Sequence, residues 1–470
     1  MFASVLCVLP ALGLQGETPS DARAALAAKL DPIFGRWDRP DSPGCAIGVI
    51  RAGEILCARG YGMANLEHGI SNGPATVFDL GSTSKQFTAA CIALLAIEGK
   101  LDLDDGVQKW IPEIPDYGRP IAIRHLLHHT SGLRDYLVLF SLAGVPSEDW
   151  TDASDALAML SRQKGLNFDP GAEYLYSNSG YFLLSQVVER ASGKSLAVFA
   201  KERIFDPLGM THTHFHDDHR LVVPGRATGY ATREEGGLGI EMSDFEQTGD
   251  GGVMSTVEDL ARWDANFYAP KVGGAPLLEM LRTRGRLNDG KELDYALGLV
   301  LGRHGEVSFE AHGGSWAGYR TQMLRFPDRR LTVVVLANLA DVDPGDLAWK
   351  VAAAMLPEEI RREEEPAPAP RTDAPRGEAP APLSSEEAAT IAGLYESEEL
   401  AAVYEIARAG EGLVVRLHGG GKSLPVVRVD GDRYRVLGAG LELQRGEDGR
   451  IRGFVVSAGR VRNIAFDRRD

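Results

Sequence analysis

"DLGSTSKQFTAACIALLAIEGK", residues 79–100, places Ser82 and Lys85 three apart at the start of a long apolar run. Phe87, Ala90, Cys91, Leu94, Leu95 and Ile97 cover most of a helix's circumference, so a buried central helix is expected from about Ser82 to Glu98. Gly99 fits the left-handed residue that closes such a helix. At this spacing the hydroxyl and the ammonium face the same way. A serine hydroxyl becomes a nucleophile once a neighbouring base takes its proton. A lysine can be that base when burial lowers its pKa. The free N–H groups at a helix start would meet a developing oxyanion. Taken alone, the pair reads more readily as a Ser N-cap followed by a solvated Lys, because SxxK occurs often by chance.

Upstream, "PGCAIGVIRAGEILCARGYGMANLE" (43–67) predicts a β-hairpin around the Ala52-Gly53 turn. Downstream, helical patterns recur at Ile123–His128, Ala153–Ser161, Tyr181–Ala191, Leu196–Ile204 and Thr256–Phe267. Strand patterns follow at Leu297–Leu301, Thr321–Phe326 and Leu331–Leu336, with another helix near Leu347–Met355. Strands at both ends with helices between them predict one α+β domain whose sheet is closed by distant parts of the chain. Residues 357–384, with "EEEPAPAPRTDAPRGEAPAP", read as a Pro-rich solvated linker. From 385 to 470 short strands return roughly every ten residues, which predicts a small all-β antiparallel barrel or sandwich.

Two further stretches bear on the chemistry. "GAEYLYSNSGYFLLSQVVERASG" (171–193) carries Tyr176 and Asn178 just before a helix. The tyrosine could share the base role and the amide could orient a substrate carbonyl; a core Tyr and a capping Asn are the plain alternative. "FEAHGGSWAGYRTQMLRFP" (309–327) carries His312-Gly313-Gly314 ahead of a strand. Two glycines let a substrate backbone lie close to the strand edge, and the histidine offers a donor. A Gly-rich hairpin turn would explain them as well.

In this order and at these separations the three stretches closely resemble the serine β-lactamase and penicillin-binding-protein family, its class C-like, esterase- and D-aminopeptidase-like branch. "IRHLLHHTSGL" (123–133), "PLGMTHT" (207–213) and "GDGGVMSTVEDLARW" (249–263) are similar to framework segments of that family, and the resemblance covers about residues 25–356. Residues 385–470 resemble the lipocalin-like β-barrel attached to some of these hydrolases.

The resemblance implies an antiparallel sheet flanked by helices, a helical subdomain, and an acyl-enzyme mechanism on ester or amide bonds. Ser82 would be the acylated nucleophile and Lys85 would assist its deprotonation. Tyr176 would act as general base and then as acid toward the leaving group. Asn178 would hold the substrate carbonyl, with His312, Gly313 and Gly314 lining the facing strand. The backbone N–H groups of Ser82 and Ser315 would form the oxyanion hole. His312 departs from the lysine that many relatives carry there. A histidine is mostly neutral at pH 7, so the departure favours an esterase or a D-amino-acid amidase over an efficient β-lactamase. The implied substrate is a small molecule or peptide. A catalytically silent envelope protein that binds or assembles is the alternative from another class.

The remaining features exclude more than they assign. Of 470 residues, 44% are hydrophobic and 25% charged, ordinary for a globular protein, and the length allows two to three domains. A formal charge of −16 argues against nucleic acid as a partner. The apolar leader, residues 1–24, resembles an export signal, which points to a periplasmic or secreted protein. No other segment is long and apolar enough to span a membrane. Cys7, Cys45, Cys57 and Cys91 form no CxxC pair, and the last three read as small core residues. "THTHFHDDH" (211–219) could chelate a metal through His212, His214 and His216, yet it reads better as a solvated surface loop. His125, His128 and His129 read as structural hydrogen-bonding residues. No HExxH, Walker loop or GxSxG elbow occurs, and "HGGGKS" (418–423) reads as a hairpin turn. No cofactor or metal is expected, and the oligomeric state stays open.

Overall fold

The computed structural model describes residues 19–146, 149–360, 383–410, 412–418 and 421–469, with side chains from residue 25 onward. The expected leader, up to the start of a helix at Pro19, and residues 361–382 of the expected linker lie outside the described residues.

A six-stranded antiparallel sheet forms the first layer. Its order is Val300–His304, Val307–Trp316, Tyr319–Phe326, Leu331–Ala337, Cys45–Arg51, Glu54–Tyr61. Distant parts of the chain do close it: Cys45 pairs with Ala337 and Arg51 with Leu331. The hairpin turns where expected, with Ala52 at φ 53° and Gly53 at φ 85°. Two successive positive φ angles match the right-handed twist of the flanking strands.

The central helix runs from Lys85 to Ile97, preceded by a single tight turn at Gly81–Ser84. Every residue from Lys85 to Leu95 is buried. The Phe87 ring packs tilted against Trp263, 4.9 Å between centres, and the Trp263 indole donates to Gln86 Oε1 at 2.6 Å. The helix also packs against Asn178–Ser192 and Gly274–Leu281.

Three expectations need correction. The strand expected at Leu297–Leu301 begins later, at Val300, because Gly298 sits at φ 70°, where a Cβ would lie 2.7 Å from the Gln86 backbone. His312-Gly313-Gly314 does not precede a strand; it lies inside Val307–Trp316, and the chain turns after Trp316. "THTHFHDDH" is not a solvated loop. His214–Phe215 pairs with Val253–Ser255, and Thr213, Phe215 and His216 are buried. Of its three alternating histidines, His214 Nε2 and His216 Nδ1 lie 3.3 Å apart, but His212 does not join them in a three-ligand group. Among the described residues the three ligand atoms that gather within 4.8 Å belong to Asp218, His219 and Glu246, where His219 Nδ1 is hydrogen-bonded to Glu246 at 2.7 Å.

The C-terminal region is a closed barrel of eight sequential antiparallel strands, Gly393–Ser397 through Val461–Arg468. Phe454 and Phe466, both buried, stack at 4.8 Å, and the buried Tyr395 lies tilted 4.8 Å from Phe454. The strands on either side of "HGGGKS", Gly412–Leu417 and Leu424–Asp430, pair antiparallel; Gly419 and Gly420, on which the turn expectation falls, lie outside the described residues. The barrel presses one edge on the helical side of the first domain, around the loops that carry Arg134 and Asn167. The buried Arg134 guanidinium pairs with Glu399 and donates to the carbonyls of Arg462 (3.0 Å) and Asn463 (2.9 Å). Asn167 Nδ2 donates to Arg460 O at 2.9 Å.

Candidate active site

A cleft of about 640 Å³ opens between the sheet and the helical layer, lined by Ser82, Tyr176, Asn178, Asp250, His312, Gly313, Gly314, Ser315 and Arg460. The sequence-expected residues therefore meet in one place. Gly81 and Gly314 make this possible. Gly81 adopts φ 50°, and a Cβ on it would lie 2.7 Å from Ser315 N. A Cβ on Gly314 would lie 1.9 Å from Leu80 O, so only glycine lets the strand approach the turn this closely. Thr321 Oγ1 donates to Leu80 O at 2.7 Å, and Thr83 Oγ1 to His312 O at 3.2 Å, which knits strand and turn together.

Ser82 is half-buried and reachable from the cleft, whereas Lys85 is fully buried. Lys85 Nζ reaches three oxygens: Ser82 Oγ at 3.0 Å, Asn178 Oδ1 at 3.0 Å and the Asp250 carbonyl at 2.5 Å. Burial pulls its pKa down from 10.5 to about 8, against the raising influence of the Asp250 and Asp135 carboxylates. The loop that supplies the carbonyl is pinned to the same helix by Thr88 Oγ1, which donates to Gly249 O at 2.7 Å, and by Val253 N, which donates to Ser84 Oγ at 3.0 Å.

Asn178 opens the helix Asn178–Ser192, and its backbone N–H donates to Asp135 Oδ2 at 2.8 Å. Asp135 also caps the helix Tyr136–Ala143 and pairs with Arg460 Nε at 3.3 Å. With Asn178 Oδ1 taken by Lys85, its NH₂ group is left facing the cleft.

Tyr176 is held by His129. Leu175 N donates to His129 O at 3.0 Å, Ser177 N donates to His129 Nδ1 at 3.2 Å, and the two rings lie 4.1 Å apart. The Tyr176 hydroxyl sits beside Ser82 without a geometrically complete hydrogen bond. Burial pushes its pKa up, so the resting group is a phenol rather than a phenolate. The Lys85 ammonium lies 4.9 Å from its ring centre, and the Arg460 guanidinium 5.6 Å.

His312 is buried, and its pKa falls to about 4 because of that burial and of Lys85. The neutral ring donates from Nδ1 to Gly313 O at 2.7 Å, which leaves Nε2 to accept from the Tyr295 hydroxyl at 3.0 Å. Both nitrogens are thus engaged, so the free donor expected of His312 is absent from this arrangement. Of the other histidines, His128 does bond structurally, to Arg124 O at 3.0 Å and Thr283 O at 3.1 Å.

Sequence reasoning missed Asp135, Asp250, Tyr295 and Arg460. Asp135 carried a signal: an Asp directly before the apolar run "YLVLFSLA" is an N-cap pattern. Asp250 lay in a segment noted only as framework, and Arg460 is an unremarkable arginine in a strand-rich tail.

A Beta-lactamase family model matches residues 32–355. The chain is 36% identical over 303 residues to a penicillin-binding protein 4* of Bacillus subtilis, covering 61% of this chain and 66% of that protein. It is 30% identical over 333 residues to a D-aminopeptidase of Gluconobacter oxydans, covering 71% of this chain and 62% of that enzyme. The matches thus span less than two thirds of either relative. The fold is like that of an octameric penicillin-binding protein homologue from Pyrococcus abyssi, with a TM-score of 0.63 and 24% identity over 94% of this chain and 99% of that one. With the family model spanning the sheet, the helical layer and every cleft residue except Arg460, the chain belongs to the β-lactamase and penicillin-binding-protein family of serine hydrolases.

Proposed function

We propose that the chain hydrolyses amide bonds of D-amino-acid derivatives through an acyl-enzyme on Ser82, with residues 25–356 as the catalytic unit and the barrel, 385–470, forming one wall of its cleft. The observation that carries this reading is the set of contacts at Lys85 Nζ. An ammonium fills three acceptors with three protons. When Lys85 loses a proton, the Asn178 amide oxygen and the Asp250 carbonyl can still only accept, so they keep the two remaining N–H groups. The lone pair then faces Ser82 Oγ, 3.0 Å away.

The steps follow. Neutral Lys85 takes the Ser82 proton as Oγ attacks the substrate carbonyl. The N–H groups of Ser82 and Ser315 receive the oxyanion, and the Asn178 NH₂ group orients the substrate amide. The proton passes from Lys85 through the Tyr176 hydroxyl to the leaving nitrogen. Tyr176 is a relay in this scheme, because burial disfavours its anion. Water then attacks the ester with the same groups acting in reverse.

The neutral His312 supports amides over β-lactams, since it presents no fixed cation to a substrate carboxylate. Relatives named D-aminopeptidase and D-amino acid amidase support the substrate class. Export fits the family's penicillin-binding members; among the described residues no helix is long and apolar enough to cross a membrane. A silent binding protein is not favoured, because it has no use for a buried lysine aimed at an accessible serine.

The test is a side-by-side assay of D-alanine p-nitroanilide, its L-enantiomer, p-nitrophenyl acetate and nitrocefin, with Ser82→Ala as control. D-Alanine p-nitroanilide should be the better amide and nitrocefin a poor substrate. Absence of any turnover, or turnover that survives Ser82→Ala, would overturn the reading.

A further inference from the structure

The site holds an apparent contradiction. Asp250 is a buried carboxylate whose field keeps the proton on Lys85, the residue that must lose it. A charge so placed works against catalysis unless something cancels it when substrate binds.

The cleft also shows which carboxylate could meet a ligand. Asp135 is saturated by the N–H groups of Leu137, Val138 and Asn178 and by the Arg460 guanidinium. Asp79 accepts from Gly81 N at 2.8 Å and faces Arg226. Asp343 caps the helix Pro344–Met355 through Asp346 N. Asp250 lines the cleft beside Ser82 and, among the described residues, receives only two long hydrogen-bond contacts from the Tyr136 hydroxyl, 3.2 and 3.3 Å, besides its own backbone. A carboxylate has about four acceptor positions, so capacity remains.

We infer that the Asp250 carboxylate binds the free ammonium group of the substrate's acyl-side residue, making Asp250 the specificity residue for D-amino-acid amides and peptides with an unblocked N-terminus. The inference rests on the amidase reading above and names the group that such a substrate must present.

Charge agrees. With Lys85 neutral, the groups around Ser82 are two carboxylates, Asp135 and Asp250, against one guanidinium, Arg460, so a cation is the complementary ligand. Binding has a second consequence. The charged groups that face Asp250 are Lys85 from the central helix and Asp135 from the turn before Tyr136, and burial holds its own pKa up to about 6. A substrate ammonium on Asp250 cancels the field that stabilises the Lys85 proton. That proton then leaves to solvent before Ser82 is attacked, so the correct substrate helps to switch on its own base.

Binding can be measured without turnover. Calorimetry on the full-length Ser82→Ala protein compares D-alanine amide with N-acetyl-D-alanine amide, which keeps the shape but lacks the charge. Ser82→Ala should prefer the free amine, and Asp250→Asn in that background should reduce the preference by about 10- to 100-fold, as for loss of a charged hydrogen bond. Asn is isosteric and can still accept from Tyr136; Asp250→Glu should restore part of the preference. A readout that a purely structural role would not move is the pH dependence of fluorophosphonate inactivation, whose midpoint should fall in Asp250→Asn. No preference in Ser82→Ala itself, equal weakening of both ligands, or an unmoved midpoint would overturn the inference. Failure of the amidase reading is seen separately, as lack of D-alanine p-nitroanilide turnover by the wild-type protein.

Discussion

Two buried cations, Arg325 on the sheet and Lys85 on the central helix, meet opposite surroundings. Arg325, 1% exposed, is closed in by charges: Asp264 Oδ1 at 2.7 Å and Glu310 Oε2 at 3.0 Å. Those carboxylates are occupied in turn by the Thr332 hydroxyl, Gly53 N and Arg282. Lys85 meets only neutral oxygens, from a serine, an amide and a carbonyl. The Arg325 network serves one protonation state, since a guanidinium keeps its proton and the carboxylates hold it in place. The Lys85 contacts serve two, since each neutral oxygen tolerates either an ammonium or an amine. What separates a structural ion network from a working site here is therefore the charge of the partners, not the depth of burial.

The largest break is at the lysine. Lys85→Ala should lower kcat/KM by about 10²–10⁴-fold, the usual worth of a positioned base, with Asn178 and Ser82 still in place. In the wild-type protein kcat/KM should rise with pH through about 8 as the amine appears, and Lys85→Ala should remove that limb. Stability carries the same signature. Folding lowers the Lys85 pKa, so between about 8 and 10.5 the unfolded chain holds more protons, and this group's contribution improves as pH rises across that window. Denaturation midpoints from pH 7 to 10 for wild type and Lys85→Met would show it.

Asp264→Ala should act on the other side of the comparison. It leaves Arg325 buried with one carboxylate fewer, at a cost of about 3–5 kcal/mol in stability, while the activity of the folded fraction stays near wild type. A fall in kcat of correctly folded Asp264→Ala would show that the two networks are coupled.

A smaller effect is expected at the barrel. Arg460 pairs with Asp135 and lies over the Tyr176 ring. Arg460→Ala removes a partly exposed cation, so KM should change by about tenfold or less, with little loss of stability. Kinetics that do not change at all would mean that this wall of the cleft does not touch substrate.

The same contrast explains what could be read from the chain. The central helix was legible because Phe87 to Ile97 leaves no polar face, and the hairpin because Ala52-Gly53 supplies the left-handed turn. Ser82, Lys85, Tyr176 and Asn178 were legible as candidates because each sits where an element starts, and local spacing fixes its direction. Asp250 and Arg460 were not, because acidic and basic residues occur throughout such a sequence and only long-range packing selects these. The tautomer of His312 was beyond reach, since it depends on Tyr295 from a separate segment. The placement of His312-Gly313-Gly314 inside a strand was misread because two glycines signal a turn locally, whereas their role is to admit the Gly81–Ser84 turn against the sheet.

The most direct measurement is peptide mapping of the intact protein after exposure to a fluorophosphonate probe. One covalent adduct is expected, on Ser82, forming faster as pH rises through about 8 and lost in Ser82→Ala. An adduct on another residue, or labelling indifferent to Lys85→Ala, would contradict it.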